Sequence, residues 1–284
     1  MALAQRLPAP MVYRAADLGG RLAPRLAPGR AALVGRNLER VHDRSFSPEE
    51  LERRVRLTFA SYARYWVDSF RLPTLSPSEI DDGFSYDGYE HILAARHAGV
   101  GAIIALPHLG GWEWAAFWMA VIENQSVSAV VEALEPVDLF EWFVTFRQSL
   151  GMQVIPLGPG AGAKVSKSLK NRDVMCLLSD RDIAGDGVEV EFFGERTTLP
   201  GGPATLALRT GAPILPTAVY FEPHGCHCRV EAPVVAEREG KLRADVTRIT
   251  QDLAYRLEGL IRRAPEQWHL MSPNWPSDHE APSD

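Results

Sequence analysis

No run of about 20 consecutive apolar residues occurs anywhere in the 284-residue sequence, so no helix of the kind that crosses a bilayer is expected. The opening Met-Ala-Leu-Ala-Gln-Arg-Leu-Pro lacks the apolar core of a secretory signal, and the chain is expected to stay on the cytoplasmic side. Cysteine is scarce. Cys176, Cys226 and Cys228 are too few for a disulfide framework, and Cys176 sits inside an apolar, strand-like run. An excess of positive charge is also missing: the net charge of −6 argues against a nucleic-acid partner. With no Gly-x-Ser-x-Gly elbow, a serine nucleophile has no obvious seat. No internal repeat and no long linker divides the chain, so residues 1–284 are read as one domain.

What is present is an ordered composition, 46% hydrophobic and 23% charged, with its charge spread unevenly. Arg6, Arg14, Arg21, Arg25, Arg30 and Arg36 face a single acid, Asp17, before Glu39, and they alternate with Leu7, Met11, Val12, Leu18, Leu22, Leu26 and Leu33. Two readings stay open for this segment. It is a cationic amphipathic stretch lying on an anionic membrane, or a set of helices packing its leucines against the rest of the chain. Pro8, Pro10, Pro24 and Pro28 cut it into short pieces in either case.

From Ser47 a helix is predicted to about Arg71, with a capping serine, Pro48 in the first turn and two glutamates behind it. Beyond Pro73–Pro77 helices and apolar runs alternate. Helices are expected near 88–98, 112–122, 136–150 and 161–170, and strands at 101–106, 127–132, 152–156 and 173–179. This is the rhythm of an α/β fold with a central, mostly parallel sheet flanked by helices. Hairpin-like segments at 188–193, 214–221 and 226–234 surround a helix near 203–209, and a last helix covers 243–263. The first 72 residues form a helical appendage to an α/β core at 83–270, and the proline-rich tail from Ser272 is expected to fray.

The best clue to chemistry is Ala105-Leu-Pro-His-Leu-Gly-Gly-Trp-Glu-Trp-Ala115, which sets His108 five positions ahead of Glu113 directly after an apolar strand. An imidazole with a carboxylate at hand can take a proton from an alcohol at neutral pH. On a continuous helix a five-residue step rotates by about 140°, so the two side chains cannot converge if both are helical. His108 therefore belongs in the strand-to-helix turn, with Gly110 and Gly111 allowing the bend and Glu113 in the first helical turn. The carboxyl end of a buried strand is where open α/β sheets place their ligands.

Four other places carry chemistry-bearing residues. Gly158-Pro-Gly-Ala-Gly-Ala-Lys164 fits neither phosphate-loop pattern and reads as a turn before a helix. His224, Cys226, His227 and Cys228 are metal-ligand types without the paired spacing of a zinc site, and Pro223 and Gly225 make them a hairpin turn. Arg147, on a helix with Phe140, Trp142, Phe143 and Phe146, is held near the mouth of the sheet, where a guanidinium meets phosphate or carboxylate; Glu132 ends its strand facing the same place. Ser179-Asp-Arg-Asp182 puts Asp180, Arg181 and Asp182 at the end of a buried strand, where they form a salt-bridge knot or part of a site. Glu189 and Glu191 then share one face of the next strand, turned to solvent or toward His108.

In their order these segments resemble the HX4(D/E) acyltransferases of the lipid A lauroyl/myristoyl superfamily, and more narrowly the phosphatidylinositol mannoside acyltransferases. The resemblance is carried by Leu106-Pro-His-Leu-Gly-Gly-Trp-Glu113, Phe146-Arg147, Ser179-Asp-Arg-Asp182, Gly187-Val-Glu-Val-Glu-Phe-Phe-Gly194 and Leu199-Pro-Gly-Gly-Pro-Ala-Thr-Leu-Ala-Leu208, across most of residues 85–235. It implies a glycerol-3-phosphate acyltransferase-like fold and direct transfer of a palmitoyl-type chain from acyl-CoA, a co-substrate rather than a cofactor. The acceptor it implies is the 6-hydroxyl of the mannose on inositol position 2 of phosphatidylinositol mono- and dimannosides. The implied roles are His108 as base, Glu113 as the motif acid and Asp182, Glu189 or Glu191 as a second orienting carboxylate, while Glu113 alternatively serves structure alone. Arg147, Glu132, Asp180 and Arg181 are the candidate substrate-binding residues, and no metal is expected. The implied location is peripheral, on the cytoplasmic face of the inner membrane and its anionic surface. Competing readings are another lysolipid or glycolipid acyltransferase, an ester hydrolase, and a non-catalytic membrane lipid carrier.

Overall fold

The run Ala102-Ile-Ile-Ala-Leu106 has no polar alternation, the pattern of a strand covered on both faces, and every one of its residues is buried. It is a central strand of a computed structural model that describes residues 2–131, 137–149, 151–183 and 185–279. The helices and strands run α1 (Ala2–Arg6), α2 (Ala9–Leu22), α3 (Pro28–His42), α4 (Pro48–Arg71), α5 (Pro77–Asp82), β1 (Phe84–Asp87), α6 (Glu90–His97) and β2 (Ala102–Leu106). Then follow α7 (Trp112–Val121), β3 (Val127–Val131), α8 (Val137–Ser149), β4 (Met152–Pro156), α9 (Ala161–Lys170) and β5 (Val174–Leu178). The chain ends with β6 (Val188–Phe192), β7 (Glu195–Leu199), α10 (Gly202–Thr210), β8 (Ile214–Glu222), β9 (Gly225–Val230) and α11 (Leu242–Ile261).

Seven strands form one sheet in the order β1-β9-β8-β2-β5-β3-β4. Every pairing in it is parallel except β8 with β9, which meet through the Pro223–His224 turn. The α/β architecture expected from the sequence is the one observed. Alternation along β2 divides two hydrophobic layers: Ile103 and Ala105 pack with α9, α10 and α11, while Ala102, Ile104 and Leu106 pack with α6, α7 and α8.

Two strands escape the sequence pattern. Edge strand β1 is four residues long and mostly exposed, so it carries no apolar signature. Strand β7, Glu-Arg-Thr-Thr-Leu, pairs with β6 as a separate two-stranded sheet across a turn in which Phe193 and Gly194 have φ of 52° and 77°, the left-handed pair of a tight hairpin. Strand β3 stops at Val131, and Glu132 lies outside the described residues.

The prolines act where expected: Pro10 lies in the first turn of α2, Pro24 in a short 3-10 turn and Pro28 at the start of α3. On α4 the Ser47 hydroxyl accepts from the Glu50 amide. Helix α2 lies so close to α4 that a Cβ on Gly20 would come 2.5 Å from the Ala60 Cα. That contact uses Val12 and Gly20. Met11, Leu18, Leu22 and Leu26, at 58, 64, 53 and 88% exposed, face away from the molecule. The segment therefore divides: Val12 and Leu33 pack inward, while Met11, Leu18, Leu22 and Leu26 do not. No helix among the described residues is long and apolar enough to cross a membrane.

The tail is not frayed over its described part. Trp275 is fully buried, its indole N–H donating to the Phe192 carbonyl at 3.1 Å, and Asp278 accepts from Arg40 at 2.8 Å.

Candidate active site

Strand β2 ends at Leu106, and Pro107–Gly111 carry the chain into α7. The turn is shaped by Gly110, whose φ of 58° and 1.8 Å approach of a Cβ to the Val219 carbonyl oxygen admit no side chain. It leaves His108 off the helix at the carboxyl edge of the sheet, as the five-residue spacing requires.

The carboxylate that meets His108 comes from the neighbouring strand. Asp180, just past β5, is fully buried, and its Oδ1 lies 2.6 Å from His108 Nδ1. Its Oδ2 accepts two further hydrogen bonds, from the His108 backbone N–H at 2.9 Å and from the Trp268 indole N–H at 2.7 Å. Burial by itself raises the carboxyl, but the adjacent His108 charge and these hydrogen bonds outweigh it and hold Asp180 below its ordinary value of 3.8. An ionised Asp180 can only accept, so the ring proton sits on Nδ1 and the lone pair on Nε2. The His108 side chain is 28% exposed, and among the described residues no hydrogen bond occupies Nε2.

Glu113 does not meet His108. It is buried in the first turn of α7, and its Oε1 accepts from the Tyr65 hydroxyl at 2.7 Å and from Arg147 at 3.0 Å. The Arg147 guanidinium lies over Trp112 and Phe143, 5.0 and 5.1 Å from their ring centres. The aromatic helix does bury Arg147 at the sheet edge, but it turns the charge inward onto the motif glutamate rather than toward a ligand. Burial, with the Glu113 charge second, pushes the Tyr65 hydroxyl well up, so it stays a donor. Glu113 Oε2 and Arg147 Nε are buried without a hydrogen-bond partner among the described residues.

The other candidate carboxylates stand apart. Asp182 organises its own loop, accepting from the amides of Gly185 and Gly187 and from the Thr198 hydroxyl, each at 2.9 Å. Glu189 and Glu191 lie on the exposed face of β6, Val190 and Phe192 taking the buried one, and Glu189 pairs only loosely with Arg196 at 3.6 Å. Neither orients His108, because the pleat that buries the valine and phenylalanine sends both glutamates to solvent. Arg181 donates to the Ser272 hydroxyl at 2.7 Å. The three charges after β5 thus diverge: Asp180, assigned to substrate from the sequence, faces the histidine, while Asp182, proposed to orient it, braces a loop.

Sequence reasoning missed the segment that closes the site from behind. Gln267, Trp268 and His269 lie along the His108 loop: the Gln267 carbonyl accepts from Gly110 N–H at 3.0 Å, and His269 N–H donates to the His108 carbonyl at 2.7 Å. Asn274 donates to the Asp180 carbonyl at 3.2 Å. The His269 ring packs against Tyr62 and Tyr65, with Nε2 2.9 Å from the Ser61 hydroxyl. Its one sequence signal is two aromatics beside a glutamine after a long helix, a weak pattern.

An apolar cavity of about 20 Å³ lies between the sheet and α6 and α7, with Leu106 and Trp112, on either side of the His108 turn, in its wall. Trp118, Tyr89 and Cys176 also line it, whereas Trp114, Phe117 and His108 do not. Burial pushes the thiols of Cys176 and Cys228 up to about 12 and that of Cys226 well above its ordinary value, so none is a ready nucleophile. Cys226 and Cys228 are strand residues of the β8–β9 hairpin, as their flanking proline and glycine suggested.

A mostly parallel sheet that delivers an oriented imidazole to its carboxyl edge, beside an apolar slot, is an arrangement suited to acyl transfer. Residues 1–277 match the family described as bacterial lipid A biosynthesis acyltransferase, and the chain belongs to that family. The phosphatidylinositol mannoside acyltransferase of Mycolicibacterium smegmatis is 36% identical over 282 residues, 97% of this chain and 89% of that protein. Its counterpart from Mycobacterium tuberculosis is 41% identical over 223 residues, 77% of this chain and 69% of that protein.

Proposed function

We propose that this protein transfers a palmitoyl-type chain from acyl-CoA to the 6-hydroxyl of the mannose on inositol position 2 of phosphatidylinositol mono- or dimannosides, with His108 as general base. The observation that carries the chemistry is the buried Asp180 carboxylate, which holds the proton on Nδ1 and leaves Nε2 open. The sugar hydroxyl gives its proton to Nε2 as its oxygen attacks the thioester carbonyl carbon. The tetrahedral oxyanion then collapses, the carbon–sulfur bond breaks, and the imidazolium returns the proton to the departing thiolate, giving ester and free CoA-SH. Base assistance of this kind accelerates transfer by roughly 10²–10⁴-fold. The backbone N–H groups of Trp112 and Glu113 at the start of α7 donate to no backbone carbonyl among the described residues and are the donors available to the oxyanion.

The names of the two mycobacterial relatives support a phosphatidylinositol mannoside acceptor, and the apolar slot beside the turn supports an acyl donor; acyl-CoA and the 6-hydroxyl are what the motif resemblance implies. At about 20 Å³ the slot holds roughly one water, so a sixteen-carbon chain enters only if the lining side chains move apart. Burial of each CH₂ contributes about 0.8 kcal/mol, enough over a long chain to drive such a shift. The exposed stripe of Met11, Leu18, Leu22 and Leu26, flanked by Arg14, Arg21 and Arg25, supports peripheral docking on an anionic membrane, the surface that holds a glycolipid acceptor. Residues 1–72 act as the membrane-facing helical part and 83–270 as the catalytic core of one domain. Incubation with acyl-CoAs of graded length and a panel of glycolipid acceptors, with products read by mass, tests this. An acylated phosphatidylinositol mannoside is expected; hydrolysis to free fatty acid, or acylation of other acceptors alone, would refute it.

A further inference from the structure

We propose that Trp268 is a positioning residue for the transfer: its indole N–H fixes the Asp180 carboxylate, which in turn holds His108 with Nε2 free. This inference rests on His108 being the base. Asp180 accepts three hydrogen bonds through its two carboxylate oxygens, and two of the donors belong to His108 itself. The third, Trp268 Nε1 at 2.7 Å, comes from a segment almost 90 residues further along the chain and, among the described residues, is the one donor that ties the carboxylate to something other than the histidine it serves. Without it, Asp180 and His108 can rock together as a unit.

The neighbours of Trp268 fix the other side of the same turn. The Gln267 carbonyl accepts from Gly110, the His269 N–H donates to the His108 carbonyl, and the Gln267 side chain bonds both the N–H and the carbonyl of Phe221 on β8. Residues 267–269 thus form a short strap clamped to the sheet, holding the backbone and the carboxylate partner of His108 at once. The Trp268 ring is itself immobilised, fully buried edge-on to Phe192 and Trp275.

A hydrogen bond to a charged, desolvated acceptor is worth about a factor of ten or more in an equilibrium. Removing it raises the Asp180 carboxyl and strengthens that carboxylate's pull on an imidazolium proton, so the inactive protonated pair persists to higher pH. The other titratable groups about the pair are His269 on the strap, Arg181 and Asp182 flanking Asp180, and Tyr65 of α4 beyond the His269 ring. Burial, with the His108 charge beside it, lowers His269 to about 3, so it stays neutral through the range measured.

The test is Trp268→Phe in the full chain, together with replacement of residue 268 by 3-benzothienylalanine, which puts sulfur in place of the N–H at nearly constant volume. Trp275→Phe is the control: it deletes a buried indole N–H from the same cluster, one that donates to the Phe192 carbonyl and not to Asp180. Both changes at 268 are expected to lower kcat about tenfold with KM unchanged and to move the acid limb of the kcat/KM profile up by about one pH unit. The NMR titration of the His108 ring should move with it, and Trp275→Phe should leave both in place. A wild-type acid limb and His108 titration in either folded 268 variant, or an equal shift in Trp275→Phe, would overturn the proposal. The ring titration is read without turnover, so it separates failure of this inference from failure of the base assignment, which an active His108→Ala protein would show.

Discussion

Replacing Asp180 by asparagine changes one atom and, by the geometry of the site, the tautomer of the base. Two donors that cannot become acceptors, the His108 backbone N–H and the Trp268 indole, converge on Oδ2. The asparagine carbonyl must take that position, since turning its NH₂ there would leave both donors unsatisfied at about 1–3 kcal/mol each. The NH₂ then faces His108 Nδ1, which is forced to accept, and the ring proton moves to Nε2. A histidine protonated at Nε2 cannot take a proton from a hydroxyl. The loss is that of general-base assistance, roughly 10²–10⁴ in kcat, or about 2.7–5.4 kcal/mol of barrier. Release of CoA under saturating acyl-CoA and phosphatidylinositol mannoside measures it, with KM expected to hold because Asp180 is fully buried and bonded to His108 and Trp268. Asp180→Asn turning over within tenfold of wild type, while melting at the wild-type temperature, would refute the tautomer argument.

His269 stays neutral in the folded chain down to about 3, while the unfolded chain takes up its proton near the ordinary 6.5, so as pH is lowered through that window stability is lost by up to about 1.4 kcal/mol per unit. Urea titrations of His269→Gln between pH 7 and 4 should show that slope reduced by one proton; an unaltered slope would assign the dependence elsewhere. Glu113→Gln breaks a buried ion pair and should lower stability by about 3–5 kcal/mol in the same assay, partly restored by adding Arg147→Met. A change below about 1 kcal/mol would mean that water reaches the pair. Leu18, Leu22 and Leu26 exchanged together for Glu should abolish co-sedimentation with anionic vesicles, each leucine contributing about 1.5–3 kcal/mol when buried. Undiminished binding would place the membrane contact on another face.

The sequence made the sheet legible because β2 and β5 are buried on both faces and read as unbroken apolar runs, while β1 is short and mostly exposed and β7 is mostly polar with only alternate residues buried, so neither carries such a signal. The position of His108 followed from arithmetic, since a helix cannot bring residues five apart together. Its partner did not. Local spacing offered Glu113, but the parallel register of β2 with β5 sets Leu106 opposite Leu178, and the two chains leave the sheet side by side, bringing Asp180 to His108. That is long-range information. The sequence offered Asp182, Glu189 and Glu191 for the orienting role, and only strand pairing and pleat show that Asp180 takes it instead. The Trp268 strap lay deeper still, because Gln-Trp-His after a helix has no periodicity, and its meaning depends on contacts with residues near 110 and 180.

The proposed base, His108 held by Asp180, would remove the proton from the sugar hydroxyl. That role is tested most directly by the rate at which purified His108→Ala forms acylated phosphatidylinositol mannoside from acyl-CoA. At least a hundredfold loss of kcat, in a protein that still binds acyl-CoA and melts as wild type does, is the expected result. Turnover within tenfold of wild type would contradict it.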